Sequence, residues 1–479
     1  MEIKIEDWVE VNREKFIEIS NTTWKYAELG LFEEKSSELH ARILEEAGFN
    51  VIRGIAGLPT AVMATCGTEK PVIGILGEYD ALPGLSQQVE PVKNPVNEGA
   101  PGHGCGHNLY GAACLAASIV IKEKIENREL KGTVRYYGCP AEENADGKGW
   151  MVKAGLFDDV DVSLTWHPWD ANYVLANNFQ AMFNVVFQFK GRTAHAAGDP
   201  FNGRSALDAV ELMNVGCNYL REHIISDARL HYVITKGGEA PNIVPAEAEV
   251  WYYVRAPQIA QVKEIYARVI KIAEGAALMT ETEVEVILLG GSSNLLSNTV
   301  LEDLMLEKMK AAGAPLFTNE DQKFAQEIRK TFPEGFFDNL LTTLPQDGRT
   351  IFEQFRNKEF CDVVLPIFGR GTTLGGSTDV GDVSWVTPLA QFAMACSAIG
   401  TPGHSWQFVS QAGMSIGHKG MLQAAKVLGL AAAELMESPE LVRRARQEFE
   451  EKLQKTPYTS PLPDEARPPI DYFKRVYMK

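Results

Sequence analysis

Cys105-Gly106-His107, the adjacent pair Glu142-Glu143, His167 and His404 are the residue types from which a divalent-metal hydrolase is built. Thiolate, imidazole and carboxylate ligate zinc and related ions, and a carboxylate next in sequence to a ligand can serve as base toward a water whose pKa the metal lowers to about 7. Cys105, His107, Glu143, His167 and His404 could hold two such ions, leaving Glu142 as general base for attack on an amide carbonyl. Each signal is weak alone. A Cys-x-His is also met as a buried thiol at a helix start, paired glutamates are mostly solvated, and a lone histidine is mostly structural. The chain has only nine histidines, and three of them fall at strand ends or glycine turns near an acidic pair, which favours the metal site. A cysteine hydrolase using Cys105 and His107 ranks last, since two residues apart in one turn they are better placed to share an ion.

The elements that must position these residues follow from the apolar patterning. Cys105 and His107 lie in the glycine-shaped turn Pro101 to Asn108, just before a small-residue helix at 111–121. Val62–Ala64, Val72–Leu76 and Val134–Tyr137 read as strands, and Glu142-Glu143 follow the last of these through Pro140. His167 ends the apolar run that begins at Val162, and His404 sits in a Gly-Thr-Pro-Gly-His-Ser loop. Ligands bind beyond the carboxyl ends of strands in open α/β sheets. The alternation predicts an α/β fold with a mixed or parallel sheet. From 179 the texture changes to strands at 183–189, 231–234 and 249–254 with helices at 204–223 and 258–276. That β-α-β-β-α-β order predicts an inserted α+β, ferredoxin-like domain over 179–289. Residues 1–178 and 290–479 are then the two parts of one catalytic domain. Further helices are expected within 5–48 and at 300–312, 320–331 and 418–436. Residues 332–360 read as irregular, and the five prolines after Lys455 as an extended surface arm.

Composition narrows the function. At 479 residues the chain exceeds the roughly 250–300 at which one core stops growing, so two domains are expected. A net charge of −17 argues against nucleic acid and requires local arginines or backbone amides to hold any anionic substrate. Seven scattered cysteines fit a reducing cytoplasm. The apolar run Leu109–Ile121 falls short of the roughly 18–20 residues of a membrane span, and the first residues contain no export signal. A cytoplasmic protein with neither membrane nor nucleic-acid partner is expected.

The motifs Gly77-Glu-Tyr-Asp80-Ala-Leu-Pro83, Gly104-Cys-Gly-His107, Pro140-Ala-Glu-Glu143, His167, Gly191-Arg-Thr-Ala-His195-Ala196, Pro241-Asn242-Ile-Val-Pro245 and Gly403-His404-Ser405 occur in that order. Together they resemble the aminoacylase and glutamate-carboxypeptidase family of dinuclear metallopeptidases. Within it they are most similar to the branch of aminobenzoyl-glutamate and indole-acetyl-aspartate hydrolases. The resemblance implies a zinc-peptidase-like catalytic domain and a metal-dependent hydrolase of amide bonds. It assigns Cys105, His107, Glu143, His167 and His404 as ligands of two divalent ions per subunit, manganese or zinc, and Glu142 as base. It also makes 179–289 a dimerisation or lid domain. His195 would stabilise the oxyanion in the partner subunit's site, Asn242 and Arg255 would contact the substrate carboxylate, and Ser377 and Thr378 would lie beside the site. The implied substrate is an N-acyl or N-aroyl amino acid, p-aminobenzoyl-glutamate or a similar acyl-glutamate or acyl-aspartate. The implied assembly is a homodimer or a pair with a homologous subunit. The alternatives are a dipeptidase, a general aminoacylase and a non-catalytic subunit, and the intact Glu142 argues against the last. The chain departs from many relatives in carrying Asn108 and Tyr110 where they have aspartate and a second histidine. Lys190, Arg192 and Arg204 read as surface charges rather than as a second carboxylate pocket.

Overall fold

Seven strands form the central sheet of this protein, whose computed structural model describes residues 3–478; Met1, Glu2 and Lys479, at the ends of the first and last predicted segments, lie outside the described residues. The order is Asn50–Arg53, Val62–Gly67, Thr133–Cys139, Val72–Glu78, Val162–Trp169, Leu389–Ala395 and Tyr173–Val174. The four from Thr133–Cys139 to Leu389–Ala395 run parallel, and the outer strands are antiparallel, so the sheet is mixed. Val72–Glu78 and Leu389–Ala395 are buried along their whole length, which is why they read as continuous apolar runs rather than alternating ones.

The helices His107–Glu126 and Ser415–Glu437 pack together against this sheet in the largest hydrophobic cluster. Their apolar faces are rich in alanine and glycine, and this lets the backbones approach closely. At Gly111 an added Cβ would stand 2.5 Å from the Glu78 carbonyl oxygen and from the His40 ring, so glycine is what allows this helix to cross the end of Val72–Glu78. No helix among the described residues is long and apolar enough to cross a membrane.

A second, four-stranded antiparallel sheet runs in the order Glu283–Ser292, Ala181–Lys190, Glu247–Ala256, Arg229–Lys236. Numbered along the chain that is 4-1-3-2, the ferredoxin-like arrangement. Helices Ala206–Leu220 and Ile259–Thr280 pack on one another and on this sheet through a separate core that includes Val185, Phe187, Val210, Val250, Val262 and Val269.

Two expectations are corrected. Residues 332–360 are not irregular, because Phe336–Thr343 and Gln346–Phe352 are helices. Gly335, in the left-handed conformation at φ 70°, and Pro345 start them, and Leu340, Leu341 and Phe352 pack with Tyr173 and Phe368. Nor is the stretch beyond Lys455 a free arm. It follows the helix Pro439–Lys455 and ends in the helix Ile470–Tyr477, with Leu462, Tyr472 and Phe473 buried against the Val72, Leu76 and Trp150 cluster. The prolines break the chain into segments without keeping it off the core.

Candidate active site

The carboxyl ends of the parallel strands converge on one cavity of about 430 Å³. Val72–Glu78 ends in Glu78 and leads to Asp80, Thr133–Cys139 leads to Glu142 and Glu143, and Val162–Trp169 carries His167. The loop after Leu389–Ala395 brings His404, and the turn before helix His107–Glu126 brings Cys105 and His107. Gly106 shapes that turn at φ 78°, where an added Cβ would lie 2.8 Å from the Phe408 ring. Tyr253 and Arg255 reach the cavity from the four-stranded sheet, and Ser377 and Thr378 from the loop after Leu374.

The donor atoms fall into three overlapping groups, each within 4.8 Å. Cys105, His107 and His167 form one; Cys105, Glu143 and His404 the second; Glu78, His107 and Glu142 the third. Cys105 is common to the first two, and His107 to the first and third. The Cys105 sulfur is 3.3 Å from His167 Nε2, and His404 Nε2 is 3.4 Å from Glu143 Oε1. His404 adopts φ 50°, an unusual conformation for a residue with a Cβ, and its backbone N–H donates to the Gly104 carbonyl.

Both inward imidazoles are oriented through the nitrogen they do not present. His107 Nδ1 lies 2.7 Å from Asp80 Oδ1, and His167 Nδ1 lies 2.7 Å from the Pro168 carbonyl oxygen. A proton on Nδ1 leaves the Nε2 lone pair of neutral His167 facing the cavity, the tautomer a metal-ligating histidine takes. Burial opposes charge on His107, but Asp80, Cys105 and Glu78 together push that imidazole well above its usual range, so that it gives up its Nε2 proton as an ion binds. His107 Nε2 and Glu143 Oε1 are buried with no hydrogen-bond partner, and such orphaned groups need an explanation. Glu78 Oε2 lies 3.1 Å from His107 Nε2 but is not aligned to bond it. Donor chemistry, tautomers and orphaned atoms all fit divalent cations. Asn108 and Tyr110 do other work: Asn108 donates to Ser20 and to the Ala412 carbonyl, and the Tyr110 hydroxyl meets Thr165.

Burial pushes Glu142 well above the usual carboxylate range, and the charges of Glu78 and Glu143 push it further. Burial and then the neighbouring His107 hold His167 down at about 3, so it is neutral. Burial and Glu143 push the Cys105 thiol up, so a thiolate ligand forms together with ion binding.

The groups that hold the candidate ligands in place are ones the sequence reading did not name. Lys148 Nζ is fully buried between Glu78 Oε1 at 2.5 Å and Asp379 Oδ1 at 2.7 Å, while Asp379 Oδ2 accepts the Lys148 backbone N–H at 2.8 Å. This triad ties the end of Val72–Glu78 to the loop carrying Ser377 and Thr378. Glu33 accepts the Ala141 backbone N–H at 2.7 Å and the Thr60 hydroxyl at 2.7 Å, fixing the left-handed turn that starts Glu142-Glu143. Glu78 and Asp80 carried a legible signal, since they follow a buried strand as Glu142 does.

His195 and Asn242 do not line this cavity; they lie together elsewhere. Both are exposed, His195 bridges to Ile243, and the Ala196 N–H donates to the Asn242 carbonyl at 3.0 Å. His195 Nδ1 accepts from the backbone N–H groups of Ala197 and Gly198 at 3.2 and 3.0 Å, which places the proton of the neutral ring on Nε2.

A mixed α/β sheet with this donor set at its strand ends defines a metallopeptidase-class hydrolase of amide bonds. The chain belongs to peptidase family M20/M25/M40, which matches residues 74–395. It is 44% identical to a p-aminobenzoyl-glutamate hydrolase subunit of Escherichia coli K12, over 97% of this chain and 98% of that protein. It is 27% identical to the Xaa-Arg dipeptidase of Mus musculus, over 91% of this chain and 89% of that one. It is 28% identical to a second p-aminobenzoyl-glutamate hydrolase subunit of E. coli K12, over 49% of this chain and 56% of that one. Among solved structures its fold is similar to the aminobenzoyl-glutamate utilization protein of Klebsiella pneumoniae, at a TM-score of 0.59 and 17% identity over 90% and 98% of the two chains. It is also similar to the Bacillus subtilis YXEP protein, described as a dinuclear metal binding peptidase from the M20 family, at a TM-score of 0.54 and 18% identity over 89% and 99%.

Proposed function

We propose that the chain hydrolyses the amide bond of N-acyl or N-aroyl amino acids whose leaving amino acid is acidic, with p-aminobenzoyl-glutamate as the first substrate to test. The observation that carries this reading is Cys105 shared between two ligand sets with Glu142 beside them. Cys105, His107, Glu143, His167 and His404 are the residues that would hold two divalent ions per subunit. When bound, these supply the Lewis acid that polarises the amide carbonyl and acidifies water. The sulfur and imidazole donors suit zinc, and the carboxylate tolerates manganese.

The protein's own part is proton transfer and placement. Glu142, with a raised affinity for protons, takes one from the attacking water and returns it to the leaving nitrogen. Asp80 keeps the His107 tautomer. Arg255, with its buried Nε free of partners, meets the substrate carboxylate beside Ser377 and Thr378.

In the same reading residues 179–289 are the lid and dimerisation domain, between two parts of a catalytic domain at 1–178 and 290–479. Arg229–Lys236 is an edge strand exposing Tyr232, Val233 and Ile234, and the helix Ala206–Leu220 beside it exposes Leu212, Val215 and Tyr219. An apolar edge of this kind is a template for a second chain. A second copy pairing there would carry His195, whose Nε2–H can donate to an oxyanion, and Asn242 to its neighbour's cavity. A homologous chain, like the second of the two E. coli hydrolase subunits, is the other candidate for that edge. Seven free thiols fit a cytoplasmic setting.

The experiment is amine release from N-acyl and N-aroyl amino acids and dipeptides, with manganese- or zinc-loaded protein and a chelated control. Metal-dependent release concentrated on acyl-glutamate or acyl-aspartate supports the reading. Release from dipeptides alone moves it to a dipeptidase, and no release with either metal removes it in favour of a non-catalytic subunit. Mixing His195→Ala with Glu142→Gln chains tests the shared site, because hybrid dimers would regain activity that neither variant has.

A further inference from the structure

The four-stranded sheet carries a cationic group of which the proposed function uses only Arg255. Arg229 stands directly across from Arg255 in the antiparallel pair of strands, and His231 stands across from Tyr253. Residues two apart on a strand share a face, so Arg229, His231, Tyr253 and Arg255 project together. Like charges directly opposed across a ladder are destabilising, and opposed arginines normally find a carboxylate. Here none is supplied. Arg229 donates to the backbone carbonyls of Ser226 and Ala228, at 2.6 and 2.8 Å, and Arg255 Nε is buried without a partner. No ion pair among the described residues includes either guanidinium. The acidic groups that Arg255 feels most, Asp146 and Glu142, lie on the catalytic side. Burial lowers His231, and the positive charges of Arg255, Arg221 and Arg229 lower it further, so this face is a concentration of positive charge in a chain of net charge −17.

The cluster lines a cavity. Arg229, His231, Tyr253 and Arg255, with Gln180 and Gly375, surround about 430 Å³ of space. Tyr253 and Arg255 also belong to the wall of the catalytic cavity, so the two spaces meet at Arg255. A ligand extending from the catalytic cavity past Arg255 arrives at Arg229 and His231. Two guanidinium groups opposed on one face suit two carboxylates on one small molecule, Arg229 through the Nε and Nη2 that its two backbone bonds leave free.

We propose that Arg229 and His231 form the subsite for the side-chain carboxylate of the leaving amino acid, with Arg255 on its α-carboxylate, so that these residues select dicarboxylic over neutral amino acids. The proposal rests on the amidohydrolase reading for its substrate but on the unpaired cross-strand arginines for its location. A neutral amide in place of the side-chain carboxylate leaves the cations uncompensated, so discrimination is strong. Lys190, Arg192 and Arg204 are not needed for it: Lys190 pairs with Glu285, Arg204 with Glu281, and Arg192 donates to the Asn202 carbonyl.

The test compares kcat/KM for N-acylglutamate and N-acylglutamine in the metal-loaded wild type, Arg229→Gln and His231→Gln. The wild type is expected to prefer the glutamate compound by on the order of 100-fold. Arg229→Gln should lower that ratio at least tenfold, and His231→Gln by less. An unchanged ratio in Arg229→Gln, an equal loss on both substrates, or a wild type without preference overturns the subsite. Calorimetric binding of free L-glutamate and L-glutamine to the same proteins separates this from failure of the amidohydrolase reading. If neither acyl compound is cleaved but Arg229→Gln selectively loses glutamate, the subsite stands and the reaction does not. If the wild type binds the two amino acids equally, the subsite is wrong.

Discussion

Asp80 binds both halves of the catalytic cluster: one carboxylate oxygen lies 2.7 Å from His107 Nδ1 and the other accepts the backbone N–H of Glu143 at 3.0 Å. It reaches both because it stands just past the end of Val72–Glu78, beside the strand that delivers Glu143. Asp80→Asn would weaken the imidazole's orientation and basicity while preserving shape. Loss of such a supporting group typically costs about 10–100-fold in metal affinity. Competition titration with a chromogenic chelator should show that loss. Unaltered affinity would mean that His107 is not held as a ligand.

The buried triad Glu78–Lys148–Asp379 makes a prediction about stability. Its three charged groups lie within the protein with Lys148 fully buried, so the lysine balances two carboxylates at once. Removing one partner of a buried ion pair leaves uncompensated charge and costs about 3–5 kcal/mol. Lys148→Met should therefore destabilise by that order in urea unfolding. Lys148→Met combined with Glu78→Gln and Asp379→Asn should recover part of the loss, because no charge then remains stranded. A Lys148→Met protein as stable as wild type would show that the triad contributes no net ion pairing.

Asp170 makes a pH prediction away from the metal ligands. Its Oδ2 accepts the Gly400 N–H at 2.8 Å, which anchors the loop leading to His404, while Oδ1 is buried without a partner. Burial pushes its carboxyl from 3.8 up to about 6. Between those values the folded protein holds a proton that the unfolded chain has released. The contribution of this group to stability is therefore fully present below about pH 4 and is lost as pH rises to about 6. Asp170→Asn mimics the protonated form at every pH. Urea midpoints measured from pH 4 to 7 should fall less steeply with rising pH in the variant than in the wild type, and parallel curves would contradict the assignment.

The residues proposed as ligands stood out in the sequence because each sits at a boundary that patterning marks. Val72–Leu76, Val134–Tyr137 and the run into His167 are buried apolar strands, and glycine turns flank Cys105 and His404. The supporting groups were not legible. Lys148 and Glu33 are single charged residues in unremarkable local contexts, and only tertiary packing buries them, against Glu78 and Asp379 in one case and Thr60 and Ala141 in the other. Arg229 and Arg255 become neighbours through strand register, which a hydrophobic pattern does not specify beyond which face is inward. The helices of 332–360 escaped because each spans only about two turns and starts at a glycine or a proline. The docking of Ile470–Tyr477 depends on a surface built by residues hundreds of positions earlier.

In the proposed reaction Glu142 serves proton transfer and Glu143 ion binding. Glu142 is adjacent to Glu143 and shares a group with His107, yet it belongs to neither of the groups that contain Cys105. Burial and the charges of Glu78 and Glu143 raise its proton affinity, as suits a base. Glu142→Gln keeps the shape and removes that capacity. It should lower kcat by about 10²–10⁴-fold, the range general-base catalysis contributes. Metal content by elemental analysis should stay at the wild-type level. Glu143→Gln should differ, losing metal along with activity, since Glu143 shares a group with Cys105 and His404. The contrast between adjacent glutamates is the decisive readout: if both variants lose metal, or if Glu142→Gln turns over at near the wild-type rate, Glu142 is not the base and the division of labour between these two residues fails.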